Sequence, residues 1–178
     1  GDGGRLEMVK KALGMLVSEL RPTDQVGIVV YSTQARVVLQ PTSASESDVI
    51  MSAINSLRPE NTTNAEAGLR LGYQMASGAF RASAINRVIL CSDGVANVGQ
   101  TGPDAILREI KEYAGRDITL STVGVGMGNY NDVLLEELAD KGNGNYAYVD
   151  TLEQAHRVFV QNLTGKLQVI ARDAKVQV

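Results

Sequence analysis

Apolar residues recur along this chain in two alternating patterns. Apolar positions at helical spacing predict helices, and short apolar runs bounded by turn residues predict strands. The predicted helices cover residues 5–20, 46–57, 64–79, 103–115, 131–140 and 151–164. The predicted strands cover residues 25–32, 35–40, 86–92, 117–126 and 145–150. Strands that alternate with helices across short loops predict an α/β fold, a doubly wound, mostly parallel sheet with helices on both faces.

Two local signals refine this architecture. The strands at 25–32 and 35–40 are separated by only two residues, so they are expected to form a hairpin whose second strand is an antiparallel edge. Thr151 and Gln154 have the spacing of a capping box at the start of the last helix. The remaining segment, 166–178, alternates like a strand that leads out of a domain spanning 1–165.

Composition narrows the classes of function. The chain has 178 residues, 44% of them hydrophobic, and a net charge of −3, which argues for a folded domain and against a nucleic-acid surface. No apolar run is long enough to span a membrane. The single cysteine, Cys91, excludes an intrachain disulfide and is interpreted as a small buried hydrophobe. The single histidine, His156, is expected to face solvent and has no partner suited to a metal site or a triad.

Two oxygen-bearing side chains are placed where a cation could bind. Thr63 lies in NTTNAEAGL before a predicted helix, and Asp93 lies in SDGVAN directly after a predicted strand. Ligands bind at the carboxyl ends of parallel strands, and hard dications prefer oxygen donors. From spacing alone a structural role is favoured over a metal site, because Thr63 or Asn64 could cap the helix and Asp-Gly is a common turn.

A glycine segment offers an alternative from another class, a nucleotide-dependent enzyme. Gly124 and Gly126 follow a strand, and Asp150 ends the next strand, as in a dinucleotide-binding fingerprint. Asn129 stands where the third glycine is required. These glycines are therefore interpreted as residues that allow the chain to turn from the end of a strand into the following helix.

Several longer stretches together resemble a known family. SDGVAN, NTTNAEAGL and the opening RLEMVKKAL look like a von Willebrand factor A (vWA) domain, and the resemblance covers nearly the whole chain. It is closest to bacterial cell-envelope members, which RVILCSDGVANVG, GMGNYND and LADKGNGNYAYVD resemble almost word for word.

The resemblance implies a doubly wound sheet with a metal-ion-dependent adhesion site on its rim. Members of the family bind Mg²⁺ or a similar ion through a DxSxS loop, a threonine and an aspartate, and Thr63 and Asp93 match the last two. The ion, Mg²⁺ or else Mn²⁺ or Ca²⁺, holds an open position that an acidic side chain of a protein partner fills. Further rim contacts are implied for Asn64, Gly94, Asn97 and Asn129.

One part of the family pattern does not occur in the sequence. It has no DxSxS, and its opening, GDGGRLEM, corresponds to residues just after that motif. The resemblance therefore implies that the first strand is missing, which would leave a slot between the strands at 25–32 and 86–92. An upstream segment left out of the given sequence is the favoured explanation. A separate or cleaved segment, or a strand at 166–177, would also fill the slot.

These observations predict that the chain is a non-enzymatic module that binds a protein through a divalent ion at the strand-end rim. The ion site is expected to be incomplete in this chain. The alternative is a structural or assembly domain of an envelope protein without a working metal site. A location in the bacterial cell envelope follows from the resemblance alone.

Overall fold

The computed structural model describes residues 2–58, 64–92, 103–126 and 133–164. Its helices are α1 (Asp2–Ser18), α2 (Ser47–Asn55), α3 (Ala65–Gly78), α4 (Pro103–Gly115), α5 (Val133–Lys141) and α6 (Leu152–His156). Its strands are β1 (Gln25–Tyr31), β2 (Ala35–Ser43), β3 (Asn86–Ser92), β4 (Ile118–Val125) and β5 (Tyr146–Val149). The predicted α/β alternation is confirmed. The predicted strand at 166–178 lies outside the described residues.

The described strands form two sheets. β1 and β2 pair antiparallel as the predicted hairpin, and β3, β4 and β5 form a parallel sheet in that order. No ladder joins β1 to β3 within the described residues. The resemblance implies that a strand is missing between β1 and β3. In the structure, β1 and β3 belong to different sheets.

Helices cover both faces of the parallel sheet. On one face, α3, α4 and α5 bury a cluster that includes Leu69, Ile106, Leu120 and Leu138. On the other face, Ala12 of α1 and Phe159, in the helical continuation of α6 over Arg157–Thr164, pack against β4 and β5. A third cluster, centred on Val17, Ile50 and Ile54, lies between α1, α2 and the hairpin. The predicted doubly wound, three-layer arrangement is therefore present.

Local sequence signals account for where several elements begin. Pro103 is the first residue of α4. The fixed φ of proline suits this position, and proline's lack of an N–H costs nothing there because the first N–H groups of a helix make no hydrogen bond within it. Thr151 and Gln154 form the predicted capping box at the start of α6. That helix continues from Arg157 to Thr164 with π-helical bonding, which the sequence pattern does not indicate. In the described part of the chain, no helix combines the length and the apolar character needed to cross a membrane.

Candidate functional site

The start of α3 is tied to the turn that follows β1. The backbone N–H of Asn64 donates to the carbonyl oxygen of Ser32 at 3.0 Å, and its side-chain amide donates to the carbonyl of Thr33 at 3.4 Å. The Asn64 Oδ1 atom accepts from the N–H of Ala67 at 3.2 Å, which makes Asn64 the cap of the helix. Asn64 therefore has the capping role that the sequence offered as the structural alternative, and its side-chain oxygen is engaged by the helix.

The end of β3 is held to the end of β1 by one side chain. The hydroxyl of Tyr31, the last residue of β1, donates to the carbonyl oxygen of Cys91 at 2.9 Å. Cys91 is followed by Ser92, which is buried and ends β3 opposite Gly124 of β4. The carboxyl ends of β1 and β3 and the amino end of α3 therefore meet on one rim of the molecule.

The two predicted ion ligands lie outside the described residues. Thr63 directly precedes Asn64 in the sequence, and Asp93 directly follows Ser92. Gly94, Asn97 and Asn129 also lie outside the described residues. The structure thus brings together the chain neighbours of Thr63 and Asp93, Asn64 and Ser92, on the same rim.

The oxygen atoms that the described residues bring to this rim are engaged as hydrogen-bond acceptors. The amide oxygen of Asn64 caps α3, and the carbonyl oxygens of Ser32 and Cys91 accept hydrogen bonds. No cluster of three or more histidine, cysteine or acidic side chains that could hold a metal occurs among the described residues. The anionic donor of an ion site here would come from a side chain such as that of Asp93.

The single cysteine and the single histidine of the chain have the ordinary surroundings that the sequence predicts. Cys91 packs beside the cluster formed by α1 and the last helix, and burial raises the pKa of its thiol to about 12. The thiol is therefore protonated at neutral pH, as expected for a residue that serves packing. His156 is exposed on α6, as predicted.

The glycine segment ends a strand. Gly126 has a φ of 62°, which suits glycine. Its N–H donates to the carbonyl oxygen of Val149 at 2.8 Å, which extends the pairing of β4 with β5 by one hydrogen bond at the ends of the two strands. The residues that follow Gly126 in the proposed fingerprint, including Asn129, lie outside the described residues. The N–H of Asp150 donates to the side chain of Gln154 within the capping box, which gives this residue a structural role.

Comparisons with known proteins identify the family. The model of the von Willebrand factor type A domain family matches residues 2–171, and the chain belongs to this family. The uncharacterized protein YfbK of Escherichia coli is 41% identical over 174 residues, which are 98% of this chain and 30% of YfbK. The chain therefore spans about a third of that relative's length.

Two solved structures show the same fold. The first is an aerotolerance-related membrane protein of Bacteroides fragilis, at a TM-score of 0.68 and 21% identity, with 90% of this chain and 89% of that chain covered. The second is proximal thread matrix protein 1 from the mussel byssus, with zinc occupying its MIDAS motif. It matches at a TM-score of 0.70 and 20% identity, over 94% of this chain and 43% of the mussel chain.

Proposed function

We propose that this vWA domain is a non-enzymatic module that binds a protein ligand through a divalent cation on the rim described above. The observation that carries the proposal is the convergence on that rim of the residues next to Thr63 and Asp93. Asn64 is bonded to the turn after β1, and β1 is bonded to the end of β3 through Tyr31 and Cys91. Membership of a family known for protein interaction and metal-dependent adhesion supports the same conclusion.

Thr63 and Asp93 are the proposed ligands. A hydroxyl oxygen and a carboxylate oxygen are hard donors that suit Mg²⁺, and they suit Mn²⁺ and Ca²⁺ as well. The bound cation supplies a positive charge that an acidic side chain of a partner can coordinate. The zinc in the MIDAS motif of the mussel protein supports the choice of a divalent ion. Asn64 contributes by fixing the start of α3, and Gly94, Asn97 and Asn129 are proposed to contact the partner.

The proposed location is the bacterial cell envelope. YfbK is bacterial, and the similar protein from Bacteroides fragilis is described as a membrane protein. These are properties of those proteins, and they support the proposal for this chain through shared fold and family. The partner would then be another polypeptide at or outside the cytoplasmic membrane.

A second candidate function is a structural or assembly domain without a working metal site. It is favoured by the described part of the rim, where the amide oxygen of Asn64 and the carbonyl oxygens of Ser32 and Cys91 already accept hydrogen bonds. In this case the domain would hold a larger protein together through surface contacts that do not depend on an ion. Binding of the partner would then be unchanged in EDTA.

Calorimetric titration of Mn²⁺ into this chain tests the proposal. We expect saturable binding at one site, and a loss of affinity of about tenfold or more in Asp93→Ala and Thr63→Ala, because each removes a ligand. Asp150→Ala is the matched control, since it removes an exposed acid that follows β5 on the same rim. Equal binding to the wild-type chain and the Asp93→Ala variant would overturn the ion site and leave the assembly function, whereas absence of binding to both would show that residues 1–178 do not hold the ion by themselves.

A further inference from the structure

Asn143 lies in the turn between α5 and β5, at the end of the parallel sheet opposite the rim. Its φ is 58°, in the left-handed region that asparagine adopts more readily than most residues other than glycine. Its side chain is exposed. Gly144 follows it, and this is the one Asn-Gly pair in the sequence. Asparagine deamidates fastest before glycine, because the next residue then has no side chain to obstruct the reaction.

Deamidation of such a pair is a reaction within the backbone. The backbone nitrogen of Gly144 loses its proton and bonds to Cγ of Asn143, and the side-chain nitrogen leaves as ammonia. The succinimide ring that results is then opened by one water molecule. Opening at the side-chain carbonyl gives aspartate at position 143. Opening at the backbone carbonyl gives isoaspartate, whose backbone contains one additional carbon atom.

The native turn engages the nitrogen that would attack. The N–H of Gly144 donates to the carbonyl oxygen of Ala139 at 2.9 Å, and the N–H of Asn143 donates to that of Asp140 at 3.2 Å. These two bonds and the left-handed residue form a Schellman motif at the end of α5. A nitrogen whose proton is held by an acceptor loses that proton less readily. Ring closure would therefore require Gly144 to separate from Ala139.

The same turn is packed against β4. The N–H of Leu120 donates to the carbonyl oxygen of Gly142 at 3.0 Å, and the N–H of Thr122 donates to that of Asn145 at 3.0 Å. A Cβ atom at Gly144 would overlap the carbonyl oxygen of Leu120. The backbone on both sides of Asn143 is thus fixed to β4, without room for an additional backbone atom.

We propose that Asn143 is a deamidation site that the native turn protects and that unfolding exposes. While the turn is bonded to α5 and β4, the reaction is confined to the small fraction of molecules in which it has opened. In the unfolded chain nothing holds the Gly144 N–H, and the pair reacts as it does in a free peptide. Isoaspartate at position 143 then prevents the turn from re-forming against β4. Prolonged unfolding therefore becomes a permanent loss of the fold.

Incubation of the full chain at pH 8 and 37 °C, in buffer and in 6 M guanidinium chloride, tests the protection. Trypsin cleaves after Lys141 and Arg157, and the mass of the peptide 142–157 increases when OH replaces NH₂. We expect deamidation of Asn143 to be at least about tenfold slower in buffer than in denaturant. Asn145, in the same peptide, is the internal control that should stay unmodified, because a tyrosine follows it. Equal rates at Asn143 in the two conditions would overturn the proposal.

Refolding of the incubated chains tests the consequence. After dilution from guanidinium chloride, isoaspartate at position 143 should be enriched several-fold in the molecules that fail to refold. Asn143→Gly is the matched control, because glycine suits the left-handed position and has no side-chain amide to lose. That variant should keep its refolding yield after the same incubation. The proposal is overturned if isoaspartate-containing chains refold as readily as unmodified ones, or if Asn143→Gly loses its refolding yield as fast as wild type.

Discussion

At the scale of single residues, Gly68 shows how tightly α3 packs against the hairpin. A Cβ atom at this position would lie 2.8 Å from two ring carbons of Tyr31 and 2.9 Å from its Cβ. These atoms belong to a ring whose hydroxyl is bonded to Cys91, so the ring cannot move aside without losing that bond. The absence of a side chain at residue 68 therefore lets β1 and α3 meet beneath the rim.

Gly68→Ala is expected to destabilise the domain by about 1–3 kcal/mol, as overpacking of a buried contact does. Gly78→Ala is the matched control, because it lies at the end of the same helix with no atom within 4 Å of the added Cβ. That variant should be neutral or more stable by up to about 1 kcal/mol, since alanine favours helix. Urea unfolding followed by circular dichroism measures both, and equal stabilities would contradict the packing argument.

The thiol of Cys91 is expected to be inert in the folded protein. With a pKa raised to about 12 by burial, only about one thiol in 10,000 is ionised at pH 8, and the thiolate is the reactive form. Ellman's reagent should therefore react slowly with the native chain and at once in 6 M guanidinium chloride. Rapid reaction of the native chain at pH 8 would show that the strand edge carrying Cys91 is open to solvent.

At the scale of elements, an ion-pair cluster joins α3 to α4. The guanidinium of Arg70 contacts Glu66 of its own helix at 2.9 Å and donates from Nε to Glu109 of α4 at 2.9 Å. The side chain of Glu66 is only 8% exposed, whereas that of Arg70 is 42% exposed. The cluster therefore matters chiefly because Arg70 neutralises a carboxylate that water reaches poorly.

Arg70→Met is expected to lower the free energy of unfolding by about 1–2 kcal/mol, less than for a fully buried pair because Arg70 is partly solvated. Arg108→Met removes a cation from an exposed position on α4 and should change stability by less than about 0.5 kcal/mol. Chemical denaturation of both variants at pH 7 gives the comparison. Equal losses would mean that general charge balance, and not the Glu66 contact, is responsible.

The sequence predicts these elements better than the contacts between them. Periodicity and local signals suffice for the hairpin, for α4 from Pro103 to Gly115 and for the capping box at Thr151, because each depends on neighbouring residues. The buried pairing of Glu66 and the unpaired Nε of Arg87 depend on packing between distant segments, which no local pattern encodes. For the ion site, spacing offered only two oxygen donors, and resemblance to the family assigned them a role.

At the scale of the whole molecule, packing and a few hydrogen bonds unite two separate sheets. Leu13 of α1 packs against the cluster on the parallel sheet and against the cluster under the hairpin. α3 likewise meets β1 at Gly68 and β3 through Gly72, which faces Val88. At the amino ends of the strands, the Arg81 guanidinium donates to the carbonyl oxygen of Thr23 at 2.8 Å. We therefore expect both sheets to unfold in one cooperative transition.

Tyr31→Phe tests how much the bond at the carboxyl ends contributes to that unity. The change keeps the ring against Gly68 and removes the donor to the Cys91 carbonyl, so a loss of about 0.5–1.5 kcal/mol is expected. Tyr113→Phe is the control, because the Tyr113 ring stacks on Tyr73 at 4.3 Å and the variant keeps that contact. Circular dichroism and tyrosine fluorescence should give coincident urea transitions for wild type and both variants. If the two signals diverge only in Tyr31→Phe, that hydroxyl couples the hairpin to the parallel sheet, and the rim on which the ion site is proposed would then depend on it.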